Sequence, residues 1–120
     1  MGSGTCFLYV GTRGSKKKYS GNIVIHNNIT DNKRVGSALK SDTYHNFPDM
    51  VDNYANEGHK FTLIGGDGKQ RELYQVEGSL NGKNGVFEWI YEPGKGTTHR
   101  RFIANGKITG TPNQIPEKGN

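Results

Sequence analysis

Apolar and polar residues alternate in short runs over the second half of the chain, and turn residues separate these runs. Four runs, at 60–64, 71–80, 86–92 and 97–103, each predict a β-strand. Asp67-Gly68, Asn81-Gly82 and Pro93-Gly94 lie in the gaps between them, and such pairs are typical of tight turns. Consecutive strands joined by tight turns predict an antiparallel four-stranded meander.

A helical period precedes the strands. Four apolar residues recur at the spacing of one helix face, namely Met50, Val51, Tyr54 and Ala55. Pro48 suits the first helical position and Asp49 suits the positive end of the helix dipole, so the pattern predicts one helix near 47–57. A helix followed by a meander is an α+β fold, in which the N-terminal helix packs on one face of the four-stranded sheet.

Residues 1–41 show a weaker pattern. Two β-prone runs, at 6–10 and 22–26, flank a lysine-rich stretch, and residues 27–40 are polar enough to be interpreted as a linker. We therefore divide the chain into a basic N-terminal extension or accessory hairpin at 1–41, a main domain at 42–115 and a tail at 116–120.

The composition limits the core and the kinds of site. Hydrophobic residues make up 31% of the 120 residues, and no apolar run approaches the length of a membrane span, so we expect no membrane anchor in this segment. Cys6 is the single cysteine, which excludes an internal disulfide and a thiolate metal cluster. No spacing typical of metal ligands occurs, and we expect neither a metal nor another cofactor.

The charge indicates an anionic partner. The formal net charge is +5 and the isoelectric point is near 9.4, an excess that favours nucleic acid. The excess lies in residues 1–40, which hold seven Lys or Arg against one acid, whereas the rest of the chain holds nine basic and ten acidic residues.

Strand alternation sorts the side chains into two faces, because residues two apart lie on the same side of a sheet. If the helix covers the aromatic face, five residues point towards it: Phe61, Leu63, Phe87, Trp89 and Phe102. The opposite, open face then collects polar side chains: Thr62, Glu88, Thr97, His99 and Arg101, with Gln75 and Glu77 or Tyr74 from the second strand.

This polar set matches the needs of RNA cleavage. One group takes the proton from a ribose 2′-hydroxyl, another protonates the leaving 5′-oxygen, and a cation stabilises the charge on phosphorus. His99, Glu88 and Arg101 are the candidates on the sheet, and His45 before the helix is a second candidate histidine. Surface strands often carry charged cross-strand pairs of this kind, and a histidine before a helix often caps it or lies at the surface. The alternation alone therefore leaves open whether these residues are catalytic or structural.

The stretch from about 42 to 115 also contains short segments that are individually common. They are His45-Asn46-Phe47-Pro48, Val51-Asp52-Asn53, Gly65-Gly66-Asp67-Gly68, Glu77-Gly78-Ser79, Gly85-Val86-Phe87-Glu88-Trp89-Ile90, Thr98-His99-Arg100-Arg101-Phe102-Ile103, Gly106-Lys107-Ile108-Thr109-Gly110 and Pro112-Asn113-Gln114. As a set they resemble the C-terminal toxin domains of bacterial polymorphic toxins, those at the ends of contact-dependent growth-inhibition and Rhs-type proteins.

The resemblance implies a ribonuclease of the barnase, EndoU, colicin and RelE type, with RNA bound on the open face of an antiparallel sheet. Carried onto this sequence, it implies a catalytic strand at Thr98-His99-Arg100-Arg101, with His45 as the second histidine. It also implies delivery as part of a larger secreted or cell-surface effector that acts in the cytoplasm of neighbouring bacteria. A cognate immunity protein follows, and we expect it to be acidic and to contact Arg100, Arg101 or the turn at Lys95.

We expect tRNA as the first substrate and ribosomal RNA as the second. The expected RNA contacts besides the catalytic residues are Thr97, Thr98, Lys95, Thr62 and Lys60. A non-catalytic RNA-binding or protein-interaction module is the alternative, since the basic N-terminal third could hold an anionic partner without cleaving it. A metal-dependent DNase is a third class.

Overall fold

The structure is a computed structural model, and it describes residues 7–10 and 24–116 of the chain. Five strands in this part of the chain form one sheet: β1 (Phe7–Val10), β2 (His59–Ile64), β3 (Gln70–Leu80), β4 (Lys83–Glu92) and β5 (Gly96–Ala104). The described residues also form a short 3-10 helix at Gly36–Leu39 and a long one at Asp49–Glu57. The fold is thus of mixed α/β type, with a mostly antiparallel sheet and few helices. None of the described helices is long and apolar enough to cross a membrane.

Strands β2 to β5 pair with one another in chain order and antiparallel, which confirms the predicted order of these four strands. Each is slightly longer than predicted. Asn81 and Gly82 connect β3 to β4 with φ angles of 52° and 88°, the left-handed conformation that a two-residue hairpin turn requires at both positions. The Asn-Gly step therefore sets this hairpin locally.

The fifth strand lies outside the predicted meander. β1 runs parallel to β3, with Phe7 in register with Glu77 and Val10 with Leu80. It shares one edge of β3 with β2, which pairs with residues 70–75. The run at 6–10 therefore contributes residues 7–10 to the main sheet instead of an accessory hairpin. In the second β-prone run, residues 24–26 are not in a strand, and residues 22–23 lie outside the described residues, as does the lysine-rich stretch.

Residues 27–40, predicted as a linker, pack against the sheet. Ile29 and Ala38 are each 3% exposed. The Val35 N–H donates to the Thr97 carbonyl at 2.9 Å, and the Thr97 N–H donates to the Lys33 carbonyl at 2.8 Å. These bonds cover the outer edge of β5, where unpaired backbone groups would otherwise face solvent.

The predicted helix is present at Asp49–Glu57, but it is a 3-10 helix rather than an α-helix. Three residues per turn bring positions i and i+3 onto the same side. Asp49 and Asp52 therefore both face Arg34, whose Nη2 lies 3.0 Å from Asp49 Oδ1 and 2.8 Å from Asp52 Oδ2. The ion pairs that both aspartates form with Arg34 are therefore compatible with a 3-10 helix, which is wound more tightly than an α-helix.

The main core lies between the long helix and one face of the sheet, which we call the helix face. Its buried residues are Ile29, Phe47, Val51, Ala55, Tyr74, Val76, Leu80, Phe87, Trp89 and Phe102. The ring of Phe47 packs edge-on against Phe87, with centroids 4.9 Å apart. The predicted inward positions of Phe87, Trp89 and Phe102 are confirmed.

Phe61 and Leu63, predicted on the helix face, lie on the opposite one. The register pairs Phe61 with Leu73, whereas the neighbouring core residue Tyr74 pairs with Lys60. A shift of one residue in the pairing moves every side chain of a strand to the other side. Lys60 and Thr62 consequently lie on the helix side of β2.

A β-bulge between β4 and β5 moves one further predicted residue. Ile90 pairs with His99 but Tyr91 pairs with Thr97, so Thr98 is an extra residue between the two pairs. Thr97 therefore turns to the helix face with Tyr91 and is fully buried. Strict alternation had predicted it beside His99.

Candidate functional site

Polar side chains form a row across the sheet on the face away from the long helix, which we call the second face. Gln75 of β3, Glu88 of β4 and Arg101 of β5 are in direct register, so their side chains stand next to one another. His99 lies two residues before Arg101 on the same face. The structure thus brings together three of the predicted catalytic residues, Glu88, His99 and Arg101.

Glu88 and His99 form a buried hydrogen-bonded pair. His99 Nε2 lies 2.8 Å from Glu88 Oε2, and the two residues are 5% and 0% exposed. Glu88 also accepts from Gln75 Nε2 at 2.9 Å and from the Asn113 N–H at 2.8 Å. A carboxylate with these donors accepts the hydrogen of Nε2, so the neutral ring keeps its lone pair on Nδ1. Glu88 is therefore suited to hold His99 in one tautomer.

Residues 107–116, which we call the C-terminal segment, lie over the second face. The N–H groups of Thr109 and Gly110 donate to Gln75 Oε1 at 2.9 and 3.0 Å. Gly110 has a φ of 78°, and a Cβ there would lie 3.0 Å from the ring of Phe61, so glycine permits the close approach. The face that was predicted to be open is therefore partly covered, which accounts for the burial of Glu88.

Arg101 is the half-buried cation of this face. Its Nη1 donates to Asn113 Oδ1 at 2.8 Å. Its Nε–H is buried and has no acceptor among the residues that the structure describes. Leaving a buried donor unpaired costs about 1–3 kcal/mol, so this N–H favours an incoming anionic oxygen.

Arg100, the other predicted catalytic arginine, lies on the helix face and is fully buried. Its Nε donates to Asp52 Oδ1 at 3.0 Å, and its Nη2 donates to the Phe47 carbonyl at 2.9 Å. The guanidinium carbon lies 3.7 Å from the centroid of the Phe47 ring. Burial lowers the pKa of Arg100, and the Asp52 carboxylate opposes this shift. Arg100 therefore ties the helix to the sheet on the side away from His99.

His45 lies at the outer edge of β5, where the carbonyl of the preceding Tyr44 accepts from the Phe102 N–H at 2.7 Å. Its Nδ1 lies 2.8 Å from both carboxylate oxygens of Asp42. The hydrogen bond from His45 lowers the pKa of Asp42. Within the described residues, no hydrogen bond or ion pair joins His45 to His99, so the structure does not bring the two predicted histidines into contact.

The predicted RNA-contacting residues are spread over several surfaces. Lys95 is exposed in the turn between β4 and β5, and Thr98 is half-buried at the bulge. Thr97 is buried on the helix face, and Lys60 and Thr62 are exposed on the helix side of β2. Lys95 and Thr98 thus belong to the hairpin that carries His99, whereas the other three side chains turn away from the second face.

Sequence reasoning missed the role of Asn113. Its N–H donates to Glu88 and its side-chain oxygen accepts from Arg101, so it joins two residues of the site. The C-terminal segment has no apolar periodicity that would predict an element there. The available signal was the Pro112-Asn113-Gln114 motif, one of the segments that carry the resemblance.

The described part of the chain contains no group of three or more His, Cys, Asp or Glu side chains that could hold a metal ion. What the second face offers is an imidazole held by a carboxylate, beside a guanidinium. These groups suit proton transfer next to a phosphate oxygen. Comparisons with protein-family models, with curated proteins and with solved structures found no match for this chain.

Proposed function

We propose that this chain is an endoribonuclease that cleaves RNA without a metal ion, with its active centre at Glu88, His99 and Arg101. The observation that carries the proposal is the Glu88–His99 pair at 2.8 Å, with Arg101 in register beside Glu88. An imidazole of fixed tautomer supplies a proton acceptor. The guanidinium N–H of Arg101, unpaired among the described residues, supplies a binding site for a phosphate oxygen.

In this proposal the ribose 2′-hydroxyl is the nucleophile. His99 Nδ1 takes its proton, the 2′-oxygen bonds to phosphorus, and the bond from phosphorus to the 5′-oxygen breaks. Arg101 binds the non-bridging oxygens, where negative charge grows, and Glu88 stabilises the imidazolium that forms. The departing 5′-oxygen receives a proton from a second group, a role that we assign to His45 with its Asp42 partner. The products are a 2′,3′-cyclic phosphate and a free 5′-hydroxyl.

The resemblance to polymorphic toxin domains supports a biological setting for this activity. We propose that the chain is the effector part of a larger secreted or cell-surface protein that inhibits neighbouring bacteria by cutting RNA in their cytoplasm. The favoured substrate is tRNA, and ribosomal RNA is second. A producing cell then needs an inhibitor, and we propose an acidic immunity protein that contacts Arg101 or the exposed Lys95. Arg100 is fully buried and offers it no surface.

A non-catalytic RNA-binding or protein-interaction module is the second candidate. The coverage of the second face by the C-terminal segment favours it, and so do the three hydrogen bonds that Glu88 already accepts. A buried carboxylate with all its oxygens bonded is also what a purely structural network requires. In this candidate function the basic N-terminal third of the sequence holds an anionic partner without cleaving it.

Incubation of the full chain with total bacterial RNA in EDTA separates the two candidates. Discrete fragments with 2′,3′-cyclic phosphate ends support the ribonuclease, whereas a mobility shift of intact RNA supports a binding module. His99→Gln is the matched control, because the glutamine amide still donates to Glu88 but does not exchange a proton at neutral pH. Plasmid nicking that stops in EDTA would instead indicate a metal-dependent DNase.

A further inference from the structure

Asn113 connects the C-terminal segment to two residues of the proposed active centre. Its N–H donates to Glu88 Oε2 at 2.8 Å, and its Oδ1 accepts from Arg101 Nη1 at 2.8 Å. A guanidinium has donors only, so the side-chain atom that faces it is the oxygen of the carboxamide. The amide nitrogen, Nδ2, is bonded to the same carbon and therefore lies close to the guanidinium, with two N–H groups of its own.

These two N–H groups are free to bind a ligand. Asn113 is exposed, and its Nδ2 forms no hydrogen bond within the part of the chain that the structure describes. Arg101 likewise keeps its Nε and Nη2 without an acceptor among the described residues, and its Nε is buried. The other side-chain amide of this network, that of Gln75, uses both of its polar atoms, since Nε2 donates to Glu88 and Oε1 accepts from two backbone N–H groups. The unused donors of this network thus lie together on Asn113 and Arg101.

The backbone around Asn113 holds its side chain in place before any ligand arrives. Asn113 has a φ of 56°, a left-handed conformation that asparagine adopts more readily than most residues, and Pro112 before it has a φ fixed by its ring. After it, Gln114 closes the segment on itself: the Lys107 N–H donates to Gln114 Oε1 at 2.9 Å, and Gln114 Nε2 donates to the Lys107 carbonyl at 2.8 Å. Donors fixed in this way stabilise a growing negative charge without the cost of reorganisation.

We propose that Asn113 is a phosphate ligand of the active centre, with its Nδ2 donating to one non-bridging oxygen of the scissile phosphate. Its Oδ1 meanwhile holds Arg101 Nη1, which leaves the edge of the guanidinium formed by Nε and Nη2 for the same phosphate. The phosphate site rests on the proposed ribonuclease activity for the identity of this phosphate as the one that is cut. Asn113 exchanges no proton and forms no covalent bond, and it acts by stabilising the charge on the phosphate.

Asn113→Gly removes the carboxamide and little else. Glycine adopts the left-handed conformation freely and keeps the backbone N–H that donates to Glu88. Asn81→Gly is the matched control, because Asn81 is also exposed, has a φ of 52° and lies in the turn between β3 and β4. Asn113→Gly is expected to slow RNA cleavage by about 10²–10³-fold, the usual cost of a lost donor to a developing charge, whereas Asn81→Gly keeps the wild-type rate. The unfolding temperatures of the two variants are expected to change by similar amounts.

Substrates with sulfur in place of one non-bridging oxygen test whether Asn113 contacts the phosphate directly. Sulfur is a weak hydrogen-bond acceptor, so a donor that faces it contributes little to the rate. The loss caused by Asn113→Gly is therefore expected to shrink to less than about threefold on one of the two phosphorothioate diastereomers and to remain in full on the other. An equal loss on both diastereomers and on the ordinary phosphate would show that Asn113 only holds the C-terminal segment, and would overturn the proposal.

Binding of a 2′-deoxy dinucleotide separates the phosphate site from the ribonuclease. This probe has one phosphodiester and lacks the 2′-hydroxyl, so it measures binding without cleavage. Asn113→Asp places a carboxylate oxygen where the amide nitrogen was, and is expected to weaken binding by about 10–100-fold through repulsion of the phosphate. Asn81→Asp, the matched control, leaves the affinity unchanged.

The two assays together assign each failure to one of the two proposals. Binding of the dinucleotide that depends on Asn113, without any cleavage of RNA, overturns the ribonuclease and retains the phosphate site. Cleavage of RNA at equal rates by Asn113→Gly and Asn81→Gly overturns the role of Asn113 and leaves the ribonuclease standing. Neither binding nor cleavage by the wild-type chain overturns both.

Discussion

Arg100 and Arg101 are neighbours in β5, and their guanidinium groups lie on opposite faces of the sheet. Arg100 Nε donates to Asp52 Oδ1 at 3.0 Å inside the main core, whereas Arg101 Nη1 donates to Asn113 Oδ1 at 2.8 Å on the second face. Strand alternation separates two identical side chains into different environments. Arg100 joins the long helix to the sheet, and Arg101 stands in the proposed active centre.

Substitution of Arg100 is expected to reduce stability, whereas substitution of Arg101 is expected to reduce the rate of cleavage. Arg100→Met lowers the free energy of unfolding by about 3–5 kcal/mol, because it removes a buried ion-pair partner of Asp52. Arg101→Met changes stability by less than about 1 kcal/mol and slows cleavage by about 10²–10³-fold, because a donor to the phosphate is lost. Urea unfolding and RNA cleavage rates of both variants measure the two effects, and variants that behave alike would contradict the assignment.

His99→Gln is expected to slow cleavage by about 10²–10⁴-fold, since it removes a proton acceptor from the reaction. The glutamine amide keeps a donor towards Glu88, so the free energy of unfolding changes little. Phe102→Ala is the structural comparison: this fully buried residue of the helix face contributes about 3–5 kcal/mol to stability. Full nuclease activity in His99→Gln, or unfolding as severe as that of Phe102→Ala, would remove His99 from the mechanism.

His45 is assigned the donation of a proton to the departing 5′-oxygen, so the rate loss on its substitution should depend on whether the leaving group needs a proton. His45→Ala is expected to slow cleavage of RNA by about 10²–10⁴-fold, because the departing 5′-oxygen then lacks its proton donor. A ribonucleoside 3′-phosphate ester with a p-nitrophenyl leaving group needs no such proton, and its cleavage by His45→Ala is expected to stay near the wild-type rate. The same loss on both substrates would show that His45 acts in folding or binding instead.

Cleavage is expected to persist in excess EDTA. The 2′-hydroxyl supplies an internal nucleophile, and the proposed His99 and Arg101 supply the proton transfer and the charge stabilisation that a metal ion provides in other nucleases. End-labelled tRNA incubated with the full chain, with and without the chelator, measures this. Activity that disappears in EDTA and returns with Mg²⁺ or Zn²⁺ would refute the mechanism.

Gln75 is expected to hold the C-terminal segment on the second face. Gln75→Met keeps the length of the side chain but removes the oxygen that accepts from the N–H groups of Thr109 and Gly110. Faster hydrogen exchange of these two amides is the expected result, while amides in the hairpin of β4 and β5 keep their protection. Unchanged exchange at Thr109 and Gly110 would mean that other contacts hold the segment.

Local patterns in the sequence determined the elements that depend on near neighbours. The period of two predicted β2 to β5, because alternation and turn chemistry act within a few residues, and Asn81-Gly82 takes the left-handed conformation that its hairpin requires. The same alternation placed Glu88, His99 and Arg101 on one face. It also placed Phe87, Trp89 and Phe102 on the other.

The remaining features of the fold and of the site were decided only by contacts between segments far apart in the sequence. The register of β2 against β3 turned Phe61 to the second face, and the bulge opposite Ile90 turned Thr97 to the helix face, although neither position differs in local pattern from its neighbours. β1 joined β3 across a long stretch of chain, and Asn113 reached Glu88 from a segment without periodicity. Such contacts are decided by how the whole chain buries its surface, and residues far apart in sequence carry no local signal of their pairing.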